Sequence, residues 1–345
     1  MNSASIFTST SSQEQLLSEL LRAYGRVQRG SELNSAVTSS ALSAEEFITS
    51  ETTKVVYVPV KDGEIRVLHH LPPNAARLRD ARVPQGRPIV FLPGWGTIPE
   101  GFKEFLEVVY GQSECYYLET REKNSSRLDR RRARMDMDQL AEDVQQVMEV
   151  AGPESVLMGT CWGSTIIAHG LARGIITAKT VVLFDPMYEL WFPKWLLNWV
   201  VPVVPLWLWG LLKPIGKRIA LWGMKEPVQR ARAELFIDSA DLWKWKHTAL
   251  QARDVNLYES MGKIRQEVLV MNGVKDKIHD RRHYPELAAL APKGRFFYLP
   301  VDESLRERLL GIVAVLCAAE GNGENRTQLP AVLLEFEQDL KSLVD

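Results

Sequence analysis

Cysteine is scarce in this chain. Three thiols in 345 residues exclude a disulfide framework and suit a reducing compartment, so the expected location is cytoplasmic. Histidine is scarce as well, at six residues, and any chemistry built on imidazole has few candidates. Neither charge sign dominates. Lys and Arg number 42 against 43 Asp and Glu, a formal net charge of −1, so no nucleic-acid partner is expected. Residues 1–13 (MNSASIFTSTSSQ) hold no basic n-region and no long apolar run, so no secretory signal is expected in them. Trp195 to Leu212 approaches the length of a bilayer span. Pro202, Pro205 and Gly210 interrupt it, and strand patterns lie on both sides, so a true span is not expected. No internal repeat stands out. No cofactor and no metal are expected.

A core-forming composition remains: 46% hydrophobic, 25% charged, with 10 Trp, 11 Phe and 9 Tyr. Such a chain can bury a core without staples, as roughly two domains or one larger domain with an insertion. Apolar positions from Leu16 to Val27 recur at helical spacing, which predicts an amphipathic helix over 13–28. Strands are predicted at 54–60 and 64–71, joined by the hairpin turn Lys61-Asp62-Gly63. Further strands follow at 88–94, 114–120, 155–160, 180–186, 267–273 and 295–300. Helical patterns at 98–112, 135–152, 162–174 and 284–292 separate them. Strands alternating with helices predict an α/β fold with a mostly parallel sheet and a ligand site along the strands' C-terminal edge.

The sharpest local pattern is Gly159-Thr160-Cys161-Trp162-Gly163, between an apolar strand and a helix whose first residues are small. Side chains two positions either side of a residue in so tight a turn would strike the neighbouring strand and helix, hence the glycines. The pentapeptide and its strand–turn–helix setting resemble the nucleophile elbow of the α/β-hydrolase fold superfamily. Cys stands in the usual place of Ser, as it does in dienelactone hydrolases and polyhydroxyalkanoate synthases. The order of segments over residues 54–316 is similar too. The resemblance implies a mostly parallel central sheet flanked by helices, with a helical cap. It implies Cys161 as nucleophile and an oxyanion hole from the backbone N–H groups of Trp95, in Pro93-Gly94-Trp95-Gly96, and Trp162. It places the acid at Asp276, in Gly273-Val274-Lys275-Asp276, with Asp185 as second choice because some members carry the acid there. Each of these has a plainer alternative: a structural elbow, a Gly-rich turn, a loop-capping Asp.

The resemblance also implies a histidine after the last strand, and here the chain departs from it. Val301 to Arg306 follow Leu299-Pro300, and no His occurs after His283. His69 and His70 lie in the second strand, remote from the elbow. His169 is expected to pack against the sheet, and His247 falls in the insertion. His279, three residues after Asp276, is the best substitute base. A thiolate ionised by a helix N-terminus can attack without one. Expelling an alkoxide or amine needs an acid, whereas a thiolate leaves unprotonated, so thioesters are favoured over plain esters. Cys115 and Cys317 read as core thiols.

Eight of the 10 Trp fall between residues 191 and 245, where the superfamily places its cap. Trp191, Trp195 and Trp199, spaced by four, share one helix face and are the expected substrate-binding wall. The alternatives are a packed cap core, or a face that rests on lipid with Lys194, Lys213, Lys217 and Arg218 beside it. Arg127, Arg130, Arg131, Arg132 and Arg134 form a basic run, either solvated and paired or a phosphate-binding site. Glu119-Thr120-Arg121-Glu122-Lys123 ends the preceding strand without a role that sequence resolves.

The expected organisation is an N-terminal extension at 1–53, a hydrolase core at 54–187 and 264–345, and a cap at 188–263. The expected activity is hydrolysis or acyl transfer on a hydrophobic ester or thioester through an acyl-Cys161 intermediate. A catalytically impaired protein that binds a lipid or partner through its cap is the competing expectation. A polymer-forming acyltransferase ranks third. Peripheral membrane contact through the cap is a further expectation.

Overall fold

Thr53–Val60 (β1) and Gly63–His70 (β2) pair antiparallel in a hairpin whose turn is closed by Asp62 at φ 66°. A computed structural model describes residues 10–30, 52–72, 86–189, 193–222, 227–273, 282–299, 306–319, 329–330 and 333. Beyond the hairpin the strands become continuous buried runs, the pattern of a sheet covered on both faces: Ile89–Leu92 (β3), Cys115–Leu118 (β4), Val156–Thr160 (β6), Thr180–Phe184 (β7) and Val268–Gly273 (β8). Gly294–Leu299 (β9) completes the order β1-β2-β4-β3-β6-β7-β8-β9, and Arg127–Leu128 (β5) pairs with β2. From β4 to β9 every pairing is parallel.

Helices cover both faces. Lys103–Tyr110 (α2) and Arg306–Ala319 (α10) pack on one, joined by Thr10–Gly30 (α1), whose Leu16, Leu20 and Ala23 are buried there. Met137–Ala151 (α3), Trp162–Ala172 (α4), Leu257–Met261 (α8) and His283–Leu290 (α9) cover the other. Between β7 and α8 the chain leaves the sheet. It forms a π-helical turn (Leu196–Val200) and three helices, Leu206–Leu221 (α5), Pro227–Asp238 (α6) and Leu242–Ala252 (α7). Among the described residues no helix is long and apolar enough to cross a membrane.

One expectation changes in detail. The helix predicted over 98–112 splits into a 3-10 turn, Pro99–Phe102, and α2. Pro99 has no N–H to give, and Gly101 bonds instead to Ile98 O at 2.9 Å. At the start of the basic run, Arg127 and Leu128 extend the sheet by pairing with Glu64 and Gly63.

Candidate active site

Parallel register aligns the C-terminal ends of β3, β6, β7 and β8 along one edge. Thr160 pairs with Phe184, so the next residues, Cys161 and Asp185, emerge side by side. Both have left-handed backbones, φ 48° at Cys161 and φ 43° at Asp185. Such conformations cost non-glycine residues about 1–3 kcal/mol each and cluster at functional sites. Bonds around the elbow hold the strain. Cys161 N–H donates to Phe184 O at 2.9 Å, and Thr165 donates to Cys161 O through its N–H and its hydroxyl, each at 3.1 Å. A Cβ on Gly163 would stand 2.4 Å from Leu92 O, and one on Gly159 2.7 Å from Ser164 N. Packing therefore demands the two glycines.

The 93–96 turn lies directly against this elbow. A Cβ on Gly94 would come within 3.3 Å of Cys161 Cβ, and the Trp95 and Trp162 rings meet at a tilt of 46° with centroids 5.2 Å apart. Trp162 N–H is the first donor of α4, one of the group that has no partner inside a helix. Gly94 O accepts from Lys123 Nζ and, at 3.3 Å, from Thr97 N–H. A trans peptide points its C=O and N–H in opposite directions. Anchoring Gly94 O on Lys123 therefore turns Trp95 N–H the other way.

Lys123 belongs to a run of residues, 119–123, that all make buried polar contacts. Arg66 bonds Glu119, Arg121 grips Asp143 through two 2.6 Å bonds, and Thr120 donates to Glu122 at 2.7 Å. Glu122 in turn pairs with Lys123 at 3.0 Å. Lys244 of α7 reaches down from the insertion and donates to Lys123 O, Ser126 O and Ser126 Oγ, each at 2.7 Å. Burial lowers the Lys244 ammonium to about 8. The motif unresolved in the sequence is thus a brace between the sheet, the 93–96 turn and the insertion.

Cys161, half-buried, sits at the floor of a cavity of about 960 Å³. Its walls include Trp95 and Phe102 from the core and Leu197, Trp209, Phe236 and Trp245 from the insertion. Trp245 meets Trp95 edge-on at 6.4 Å and Phe236 at 4.7 Å. Gly96 (φ 60°) lets that seam close, since a Cβ there would lie 2.4 Å from Trp245 Cζ2. The cavity's charged residues include Asp185, Arg306 and Glu307. Asp185 Oδ1 accepts from Asn272 Nδ2 at 2.5 Å and Gly273 N–H at 3.3 Å, and Oδ2 stands 3.8 Å from Arg306.

No protein-family model and no curated protein sequence matches the chain. Solved structures do. A hydrolase from Pseudomonas aeruginosa superposes with a TM-score of 0.58 at 14% identity, over 77% of this chain and 99% of that one. A thermophilic esterase from Thermogutta terrifontis gives 0.55 at 15% identity, over 72% and 90%. An esterase from Exiguobacterium antarcticum gives 0.55 at 18% identity, over 75% and 97%. The chain has the α/β-hydrolase fold.

Within this α/β-hydrolase fold the expected site residues divide into three groups. Cys161 and Trp95 line the cavity, with Trp162 fully buried beneath them. Asp276, His279 and Trp191 lie outside the described residues. Trp195 and Trp199 are described, but at 63% and 75% exposure they face outward and neither lines the cavity. Their spacing by four does place them on a common face, the outer one. The inner wall falls instead to Leu196, Leu197, Val201 and Trp209, which flank or follow them.

Among the described residues no histidine lines the cavity. His70 is buried between Thr53 Oγ1 (3.0 Å) and Tyr110 O (2.6 Å), and burial lowers it to about 4. His69 meets Glu114 at 2.8 Å, and His247 Nδ1 meets Trp243 O at 2.8 Å. His283 Nδ1 lies 2.5 Å from Tyr258 Oη. His169 corrects its expectation: it turns from the sheet to Asp138 of α3, at 2.7 Å. Cys115 and Cys317 are buried core thiols, with burial pushing Cys115 up. Four members of the basic run have carboxylate partners: Arg127 with Glu64, Arg130 with Asp241, Arg132 with Asp129 and Arg134 with Asp136. Sequence reasoning named Lys123 without a role and grouped Trp209 and Trp245 only among the insertion's tryptophans; it missed Lys244, since nothing local marks residues that act across such separations.

Proposed function

We propose that this chain hydrolyses or transfers the acyl group of a hydrophobic ester or thioester through Cys161. One observation carries the reading: a cysteine on left-handed backbone, at a helix N-terminus, on the floor of an apolar cavity beside the 93–96 turn. In the proposed step the Cys161 thiolate attacks the acyl carbon and forms a C–S bond. The carbonyl oxygen becomes an oxyanion received by the N–H groups of Trp95 and Trp162, donors of a kind that contributes about 3 kcal/mol each. Collapse breaks the bond to the leaving alkoxide or thiolate, and the acyl-enzyme passes its acyl group to water or an acceptor alcohol. A thiolate leaves unprotonated, so thioesters acylate Cys161 fastest. Asp276 remains the proposed acid, with Asp185 beside the nucleophile as the second candidate, and His279 the proposed base.

The fold's relatives include a thermophilic esterase and a hydrolase, which supports ester chemistry in general. The cavity walls favour a long acyl chain, and the aromatic insertion acts as the cap over it. The outer face of that cap would let the enzyme work against lipid. A second reading, a lipid-binding protein without turnover, is favoured by the sequence after the last strand, where Val301 to Arg306 hold no histidine and none follows His283. Intact-mass measurement after incubation with acyl thioesters of graded length separates the two. An adduct of acyl mass that Cys161→Ala abolishes supports the enzyme; no adduct at any length supports the binding protein.

A further inference from the structure

We infer that the outer face of the cap docks on an anionic lipid bilayer. Large apolar side chains line α5 at Trp207, Leu211, Ile215 and Ile219, each exposed by more than half, and Trp222 beyond its end is 87% exposed. Their spacing of four keeps the four α5 residues on one helix face. Trp195, Trp199 and Val203 prolong the exposed apolar surface from the preceding turn. A single soluble chain rarely shows so much contiguous apolar surface without a partner.

Charge decides the partner. Residues 193–222 hold Lys194, Lys213, Lys217 and Arg218, and no Asp or Glu. Lys194 and Arg218 are exposed. Lys217 pairs with Asp238 at 2.7 Å, and Lys213 donates to Asp238 O at 3.0 Å, so these two lie where the face meets α6. Self-association through a two-fold interface would oppose this patch to its own copy, setting the exposed Lys194 and Arg218 against like charge with no acid from the segment to pair them. An anionic bilayer accepts the apolar stripe and the basic residues at once. Trp and Lys or Arg are the side chains that settle at the lipid–water boundary.

Docking there has a consequence at the site. Leu196, Leu197, Val201, Trp209 and Ala220 of the same segment line the cavity above Cys161, so the bilayer-facing layer is also the cavity's roof. That consequence rests on the acyl-transfer reading; the docking itself does not, and it is read without turnover.

The test is flotation of the full chain with vesicles of phosphatidylcholine alone or mixed with phosphatidylglycerol, with tryptophan emission recorded in parallel. The expected result is binding with a blue shift, strengthened by phosphatidylglycerol and weakened by salt. The variant Trp207→Ser/Ile215→Ser/Trp222→Ser changes only exposed positions and should lose about tenfold or more on both vesicle types. Lys194→Glu/Arg218→Glu should lose the phosphatidylglycerol advantage alone, roughly fivefold per charge. Two results overturn the inference: no flotation with either vesicle, or a stable dimer in solution that the triple serine variant dissociates.

Discussion

Lys123 Nζ donates to the carbonyl oxygen of Gly94, 29 residues away in sequence. The bond crosses from the end of β4 to the turn after β3. It fixes the peptide plane that carries Trp95 N–H, a proposed oxyanion donor. Lys123→Met keeps the aliphatic stem and removes the donor. On an acyl thioester it should lower kcat by about tenfold to a hundredfold with little change in KM, since a misaimed donor is felt only as charge develops on oxygen. The change also strands the buried Glu122. The double variant Lys123→Met/Glu122→Gln should therefore recover melting temperature without recovering kcat. Recovery of both would make the lysine's role purely structural.

Gly96 stands where the 93–96 turn meets Trp245 of α7. Its φ of 60° and its approach to Trp245 leave no room for a side chain. Gly96→Ala should cost about 1–3 kcal/mol in denaturant unfolding. It should also shift tryptophan emission, because Trp245 must move off the turn. Full stability with an unchanged spectrum would show that the seam does not close as described.

His70 makes stability depend on pH. Its folded value, about 4, lies below the ordinary 6.5 because burial disfavours the imidazolium. The unfolded chain takes up this proton first as pH falls. The stability contribution is whole above about pH 6.5 and is lost as pH drops towards 4, by about 3 kcal/mol. His70→Phe, which keeps an aromatic ring against Tyr110, should lose less stability between pH 7 and pH 4 than the parent. Parallel losses in both proteins would place the acid sensitivity elsewhere.

Trp209 projects from α5 into the cavity wall. Trp209→Ala should lengthen the space above Cys161 and shift the preferred acyl chain upward, read as kcat/KM across a thioester ladder. An unchanged chain-length optimum would mean that the acyl group lies along another wall.

Local patterns were legible in the sequence; pairings across the sheet were not. The elbow declares itself because its glycines, its cysteine and its flanking strand and helix lie within a score of residues. Trp195 and Trp199 show the limit. Spacing grouped them on one face, but only the fold decides that this face looks outward, while Leu197 and Trp209 turn in. Glu119 to Lys123 were conspicuous as charges in an apolar setting, yet their partners, Arg66, Asp143, Gly94 and Lys244, come from four other parts of the chain. A buried ion pair leaves no periodic trace in sequence.

Acyl-enzyme formation at Cys161 is read by rapid-quench intact-mass measurement of the full chain with a long-chain acyl thioester. A single adduct of the acyl mass is expected, formed with release of one thiol and abolished in Cys161→Ala. The same adduct in Cys161→Ala, or none in the parent at any chain length, would contradict it.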